Sequence, residues 1–112
     1  MKRIEAIVRP EKLEAVKDVL VSLGHAGLTV YEVKGHGIQR GITQHWRGEE
    51  YQVDLLPKVS IVAVVNDHEV ADMVDQIVKV ARTDRIGDGK IFVSPVEEVI
   101  RIRTGESGAE AL

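Results

Sequence analysis

Residues 35–58 read G-H-G-I-Q-R-G-I-T-Q-H-W-R-G-E-E-Y-Q-V-D-L-L-P-K, and this polar stretch separates two segments with the composition of β-strands. Residues 28–34 before it are rich in β-forming side chains, and residues 58–65 after it alternate and then become wholly apolar. A connection of roughly twenty residues is unusually long for a compact domain and is typical of functional or disordered segments. Because it contains two aromatic side chains, Trp46 and Tyr51, we predict that it contacts a partner protein.

The N-terminal part of the chain predicts a strand followed by a helix. Residues 3–9 have the period of a β-strand, which places Ile4, Ala6 and Val8 on one face and Glu5, Ile7 and Arg9 on the other. Pro10 ends that strand and favours a first helical turn, and Gly24 supplies the stop after an apolar helical stripe. Strand two is then predicted over residues 28–34.

The C-terminal half predicts a second helix between two further strands. Strand three covers residues 59–65, and Asn66 with Glu69 forms a capping box in front of the second helical stripe. A glycine-bearing turn precedes strand four, which is predicted at residues 91–96. Residues 99–103 are predicted to form a last extended segment.

The order strand, helix, strand, strand, helix, strand predicts an α+β fold of the ferredoxin-like, split β-α-β type with an antiparallel sheet. Two helices can cover only one face of that sheet. Strand three is apolar on both alternating sets, since Ile61, Ala63 and Val65 point one way while Val62 and Val64 point the other. The second face therefore needs another cover, and we predict a closed assembly of identical chains.

The length and composition of the chain limit the classes of protein to which it can belong. With 112 residues, the chain is predicted to be one domain, residues 1–112, with a flexible loop at about 37–55 and a loose tail at about 105–112. The net charge of −3 and the scattered basic residues predict no nucleic-acid partner and no membrane insertion. The chain has no cysteine, and its N-terminus lacks a long apolar run, so we expect a cytoplasmic protein.

The strongest candidate site is the sequence I-G-D-G-K at residues 86–90. Two glycines one residue apart allow successive backbone N–H groups to converge on an anion, and Lys90 adds a positive charge. Ile91 follows the lysine, so this is not a Walker motif. If residues 99–103 are extended, Arg101 and Arg103 project from the same side and form a pair of guanidinium groups. The alternative is that these three cations are solvated surface charges.

Other patterns give weaker indications. Gly35, Gly37 and Gly41 resemble the dinucleotide-binding fingerprint but do not fit it, because Arg40 takes the place of the third glycine. The four histidines have neither the spacing nor the cysteine neighbours of a metal site. Asp84 and Asp88 are a candidate carboxylate pair, although Asp in such turns more often accepts from its own backbone. Catalysis thus has little direct support.

Together these motifs resemble the PII nitrogen-regulatory signalling proteins, over residues 1 to about 106. The most specific match is T-D-R-I-G-D-G-K-I-F-V-S-P-V at residues 83–96, and G-x-G-x-Q-x-G, R-G-x-E-Y, P-K and R-I-R-T-G-E recur in the family's order. The resemblance implies a homotrimer with ATP or ADP in clefts between subunits and 2-oxoglutarate beside the Mg2+ of ATP. It also implies that the long loop docks on targets such as an ammonium transporter, glutamine synthetase or its regulators.

The resemblance also implies a set of site residues. The residues expected at the nucleotide are Thr29, Gly37, Ile38, Gln39, Val64, Gly87, Asp88, Gly89, Lys90, Arg101 and Arg103. Gln39 is expected to ligate Mg2+, and the residues expected at 2-oxoglutarate are Gln39, Gly41 and Lys58. Tyr51 matches a tyrosine that is nucleotidylated in many relatives.

Some residues depart from the family pattern. Ile38 stands where Arg or Lys is common, which removes one expected phosphate contact, and Glu49 stands where one branch has a phosphorylatable Ser. Rival hypotheses are a trimeric ferredoxin-like protein of the divalent-ion-tolerance type and a weak nucleotide hydrolase. An RNA-recognition domain is excluded because Phe92 is the lone candidate for a stacking aromatic on the central strands.

Overall fold

A computed structural model describes residues 1–25, 27–36, 42–46, 49–53 and 55–112 of the chain. The predicted strand and helix order is confirmed, and two further strands lie within the long connection. The elements are β1 (Lys2–Val8), α1 (Leu13–Ser22), β2 (Thr29–Gly35), β3 (Ile42–Trp46), β4 (Glu49–Val53), β5 (Leu56–Val65), α2 (Val70–Ala81) and β6 (Lys90–Pro95).

The main sheet has four strands in the order β2-β5-β1-β6, and every neighbouring pair is antiparallel. The predicted α+β class, with two helices and an antiparallel sheet, is therefore confirmed. Among the described helices, none is long and apolar enough to cross a lipid bilayer. The trimer stays a prediction, because a single chain is described.

The ends of the two helices follow the predicted signals. Pro10 opens a short 3-10 turn, Pro10–Lys12, that leads into α1, and Gly24 adopts a φ of 90° just beyond the end of that helix. The backbone N–H of Asn66 donates to Glu69 Oε1 at 3.2 Å, which is half of the predicted capping box before α2. These contacts fix where each helix joins the sheet.

The core lies between the two helices and one face of the sheet. It contains alternate residues of the two central strands and the apolar stripes of the helices, namely Ile4, Ala6, Val8, Val16, Leu20, Val59, Ile61, Ala63, Val65, Met73, Ile77 and Ala81. Full burial of one such aliphatic side chain stabilises the fold by about 1.5–3 kcal/mol. The helices and the sheet are thus held together by one continuous apolar layer.

None of the described helices covers the other face of the sheet, which we call the open face. Val62 and Val64 lie there half-buried, and the register places Phe92 opposite Glu5 and Tyr31 opposite Ser60 on the same face. Tyr31 is 54% exposed and Phe92 is 49% exposed. Large apolar side chains therefore reach solvent on this face, as the two-sided pattern of strand three predicted.

The long connection contains structure that the sequence pattern did not predict. β3 and β4 pair as a two-stranded sheet from Ile42 opposite Val53 to Trp46 opposite Glu49. β5 also begins earlier than predicted, at Leu56, and Pro57 pairs with β2 alone because β1 ends opposite Val59. A proline is tolerated at such a position because only one neighbouring strand is present.

The segment after β6 departs from the predicted extended form. Ile100 makes a single bridge to Ser107, and the chain turns between them, since the Gly105 N–H donates to the Arg101 carbonyl at 2.7 Å. Residues Gly108–Ala111 then form a short 3-10 helix. Arg101 and Arg103 therefore lie in a turn and are not aligned along a strand, because the glycine at 105 permits a φ of 72° there.

Candidate functional site

The glycine loop, residues 83–89 between α2 and β6, is the centre of the candidate site. Gly87 and Gly89 have φ angles of 102° and 95°, which are accessible to glycine and strained for other residues. A Cβ added at Gly89 would lie 1.7 Å from the carbonyl oxygen of Ile7. Gly89 is therefore required both by its backbone angle and by its close approach to β1.

The carboxylate of Asp88 organises the glycine loop from within. It accepts hydrogen bonds from the Thr83 N–H at 2.7 Å, the Thr83 hydroxyl, the Asp84 N–H at 3.0 Å and Arg9 Nε at 3.1 Å. The hydrogen bonds from Thr83, and then that from Arg9, hold the pKa of Asp88 well below its usual value. This carboxylate is an ionised structural acceptor, which disfavours its pairing with Asp84 in acid-base chemistry.

Arg9 is a residue of the site that sequence reasoning missed. Its guanidinium donates from Nη2 to the Ile86 carbonyl at 2.8 Å and from Nε to Asp88 at 3.1 Å. The Arg9 side chain is 13% exposed. Its bond to Asp88 is partly buried, whereas its bond to the Ile86 carbonyl is exposed. The local pattern shows Arg9 only as the last residue of a strand, and the loop that it holds is 79 positions away. No sequence signal links the two.

Lys58 joins the long connection to the glycine loop. It lies at the start of β5, and its Nζ donates to the Gly87 carbonyl at 2.7 Å. Burial, followed by repulsion from the nearby Arg9 cation, lowers the pKa of the Lys58 ammonium. Two cations, Lys58 and Arg9, thus lie at a loop with two glycines. Such a combination favours an anionic ligand.

The structure brings some of the predicted site residues together. Lys58 contacts the loop that holds Gly87, Asp88 and Gly89, and Lys90 continues from it as the first residue of β6. In the sheet register, Thr29 pairs with Val62 and Val64 pairs with Arg3, and all four lie on the open face.

Other predicted residues are separate from the loop or not described. Gly37, Ile38, Gln39 and Gly41 lie outside the described residues, as does the side chain of Tyr51 in β4. The predicted Mg2+ ligand, Gln39, is among them. The described residues contain no group of three or more His, Asp or Glu side chains placed to hold a metal ion.

The two arginines near the C-terminus differ from each other. The Arg101 guanidinium donates to Glu106 Oε1 at 3.2 Å and to the Glu110 carbonyl at 2.9 Å. Arg103 lies exposed in the turn. Among the contacts of the described residues, none joins either arginine to the glycine loop of the same chain. Within one chain the two parts of the predicted nucleotide site are thus not in contact.

Comparison with known proteins identifies the family. The model of the family "Nitrogen regulatory protein P-II" matches residues 1–106. The nitrogen regulatory protein P-II 2 of Methanothermobacter thermautotrophicus is 59% identical over 112 residues, which are 100% of this chain and 97% of that protein. The nitrogen regulatory proteins P-II of Nostoc punctiforme and Azospirillum brasilense are each 55% identical over the full length of both chains. The chain therefore belongs to the nitrogen regulatory protein P-II family.

Proposed function

We propose that this protein is a cytoplasmic, non-catalytic sensor of ATP or ADP and of 2-oxoglutarate, which signals to nitrogen-assimilation proteins through residues 37–55. The observation that carries the proposal is the 2.7 Å hydrogen bond from Lys58 Nζ to the Gly87 carbonyl. It joins the base of the long connection to the loop proposed for the nucleotide. A ligand at either place therefore changes the surroundings of the other.

The proposed nucleotide site is supported by the chemistry of the glycine loop. Gly87 and Gly89 have no side chain that would keep a ligand away from the backbone of the loop. The contact between Asp88 and Arg9 fixes the shape of this loop, and Lys90 follows it directly. Phosphate oxygens bind well to such backbone N–H groups together with a cation. Asp88 is already engaged by Thr83, Asp84 and Arg9, so it is poorly placed to activate water, and we propose binding without efficient hydrolysis.

For the assembly, the support is the open face. Tyr31 and Phe92 are about half exposed there beside half-buried Val62 and Val64. We propose that three copies bury this face and that Arg101 and Arg103 of one copy approach the glycine loop of the next. Val64→Glu would bury an unpaired carboxylate at that interface, so sedimentation should show monomer or insoluble chain. A wild-type protein that sediments as a monomer at micromolar concentration would contradict the trimer.

For 2-oxoglutarate, the proposal combines a cation with a metal. Lys58 binds a carboxylate of the effector, and Mg-ATP held through Gln39 chelates its keto-acid end. Because the metal is shared, 2-oxoglutarate should bind after Mg-ATP, and by linkage it should tighten ATP by the same factor, with a coupling of roughly 1–3 kcal/mol. The resulting conformation of residues 37–55 then determines binding to an ammonium transporter or to regulators of glutamine synthetase.

The experiment that tests the proposed function is isothermal titration calorimetry on the wild-type protein. ATP, ADP and AMP are each titrated with and without Mg2+ and 2-oxoglutarate. We expect both ATP and ADP to bind. We expect 2-oxoglutarate to bind appreciably only when Mg-ATP is present. Gln39→Ala should uncouple the two ligands while most ATP binding remains. Equal binding of 2-oxoglutarate to the apo, ADP and Mg-ATP forms would contradict this mechanism.

A further inference from the structure

The last seven residues of the chain, 106–112, form a segment that we call the C-terminal strap. Its start is fixed by backbone bonds, since the Arg101 N–H donates to the Glu106 carbonyl at 2.8 Å and the Gly108 N–H donates to the Val99 carbonyl at 3.0 Å. Ser107 forms the bridge with Ile100. Beyond it, the 3-10 helix Gly108–Ala111 brings the end of the strap back over the Arg101 side chain.

The strap occupies the ends of the Arg101 guanidinium. Nη1 donates to Glu106 Oε1 at 3.2 Å, and Nη2 donates to the Glu110 carbonyl at 2.9 Å and to the Leu112 carbonyl at 3.4 Å. A phosphate group binds arginine through the same N–H groups, usually two at a time. The strap and a phosphate are therefore alternative partners of this side chain. Arg103, two residues along, is exposed in the turn and has no such contact among the described residues.

The contact between Arg101 and Glu106 is exposed enough for another partner to replace it. The Arg101 side chain is 34% exposed and that of Glu106 is 41% exposed, so water reaches both. An exposed ion pair of this kind contributes little free energy because solvent screens it. The backbone bonds at the start of the strap do not depend on the Arg101 side chain, so the turn can persist while the guanidinium changes partner.

We propose that the C-terminal strap is an internal competitor that lowers nucleotide affinity until a phosphate displaces it from Arg101. This inference rests on the proposed function, in which Arg101 binds the phosphates of ATP or ADP. Its consequence is that release of the strap accompanies nucleotide binding. Without nucleotide, the Glu106 carboxylate accepts the Arg101 hydrogen bond that a phosphate would otherwise accept.

Calorimetric titration of ATP and ADP into Glu106→Gln tests the competition. The substitution keeps the shape of the side chain and removes the charge that pairs with Arg101. We expect ATP and ADP to bind about two- to five-fold tighter than to wild type, which is the range of an exposed ion pair. Glu110→Gln is the matched control, because it removes the same charge from the same strap while Glu110 reaches Arg101 through its carbonyl alone. Its affinity should equal that of wild type.

Two further measurements separate the possible failures. In the Arg101→Ala background, Glu106→Gln should leave ATP affinity unchanged, because the competitor then has no partner. In wild-type protein, ATP should increase amide hydrogen exchange in residues 109–112, beyond the backbone bonds that persist. If wild type binds ATP but Glu106→Gln matches Glu110→Gln and the exchange is unchanged, the competition is refuted and the proposed function stands. If no form binds ATP or ADP, the proposed function itself is wrong.

Discussion

The glycine loop and the turn around Arg101 are two parts of the predicted nucleotide site that are held in opposite ways. The glycine loop is fixed by distant parts of the chain: Arg9, which directly follows β1, and Lys58 from β5 both donate to it. Arg101 is held by the strap, whose contacts all lie within 11 positions of it in the sequence. Long-range contacts from a packed sheet fix a loop in the folded state, whereas local contacts at the surface open at low cost. The difference supports our proposal of one preformed nucleotide-binding element and one that exchanges partners.

The largest expected effect is the loss of the fixed loop by Gly89→Ala. The new Cβ would lie 1.7 Å from the Ile7 carbonyl oxygen and would hold a φ of 95°. Strain and steric overlap together should lower the free energy of unfolding by roughly 3 kcal/mol or more, as measured by urea denaturation. Gly24→Ala is the matched control, because Gly24 has a φ of 90° with nothing within 4 Å of the added carbon. It should cost only about 1–2 kcal/mol. Equal costs would show that the contact with β1 is unimportant.

Sequence reasoning recovered those features that depend on neighbouring residues. The change of period at Pro10, the capping pair Asn66 and Glu69, and the two glycines of the loop are all local, so the fold class and the glycine loop could be predicted. The contact between Arg9 and Asp88 could not, because it depends on how β1 and β6 pair. The turn at Arg101 was mistaken for an extended segment, because the pattern of five residues does not reveal that the later Gly105 N–H donates to the Arg101 carbonyl.

The next effect concerns the two arginines as ligands of the nucleotide. Arg103→Ala should remove a charge-assisted phosphate contact and weaken ATP binding by about 1.5–3 kcal/mol in calorimetry. Arg101→Ala should weaken it less, because wild-type Arg101 gives up its strap contacts when it binds. Unchanged ATP affinity in Arg103→Ala would remove that residue from the site. A larger loss for Arg101→Ala than for Arg103→Ala would contradict the exchange of partners.

A smaller effect is expected from removing the support that Arg9, just after β1, gives to the glycine loop. Arg9→Ala deletes an exposed hydrogen bond to the Ile86 carbonyl and a partly buried one to Asp88. The free energy of unfolding should fall by about 1–2 kcal/mol, and ATP affinity should fall with it because the loop loses its fixed shape. Arg82→Ala is the control, since its contact with Asp84 is 3.7 Å long and exposed. It should change stability by less than about 0.5 kcal/mol. A loss as large in Arg82→Ala would indicate a general effect of charge.

The smallest effect expected is a change in the acid dependence of stability, which again depends on Asp88. Hydrogen bonds from Thr83, and then from Arg9, lower the pKa of Asp88 in the folded protein below the ordinary value of 3.8. As pH falls through this value, the unfolded chain takes up the proton first, so the stabilisation present at higher pH is progressively lost toward the folded-state pKa. Asp88→Asn should therefore flatten the fall in unfolding free energy below about pH 4, measured by urea denaturation at successive pH values. Asp84→Asn is the control, because asparagine tolerates the φ of 65° at that position. Among the described residues, the Asp84 carboxylate has one long contact, with Arg82. It should retain the wild-type acid slope. If Asp88→Asn keeps that slope too, the carboxylate is not what fixes the glycine loop, and the contrast with the Arg101 turn would rest on Lys58 and Gly89 alone.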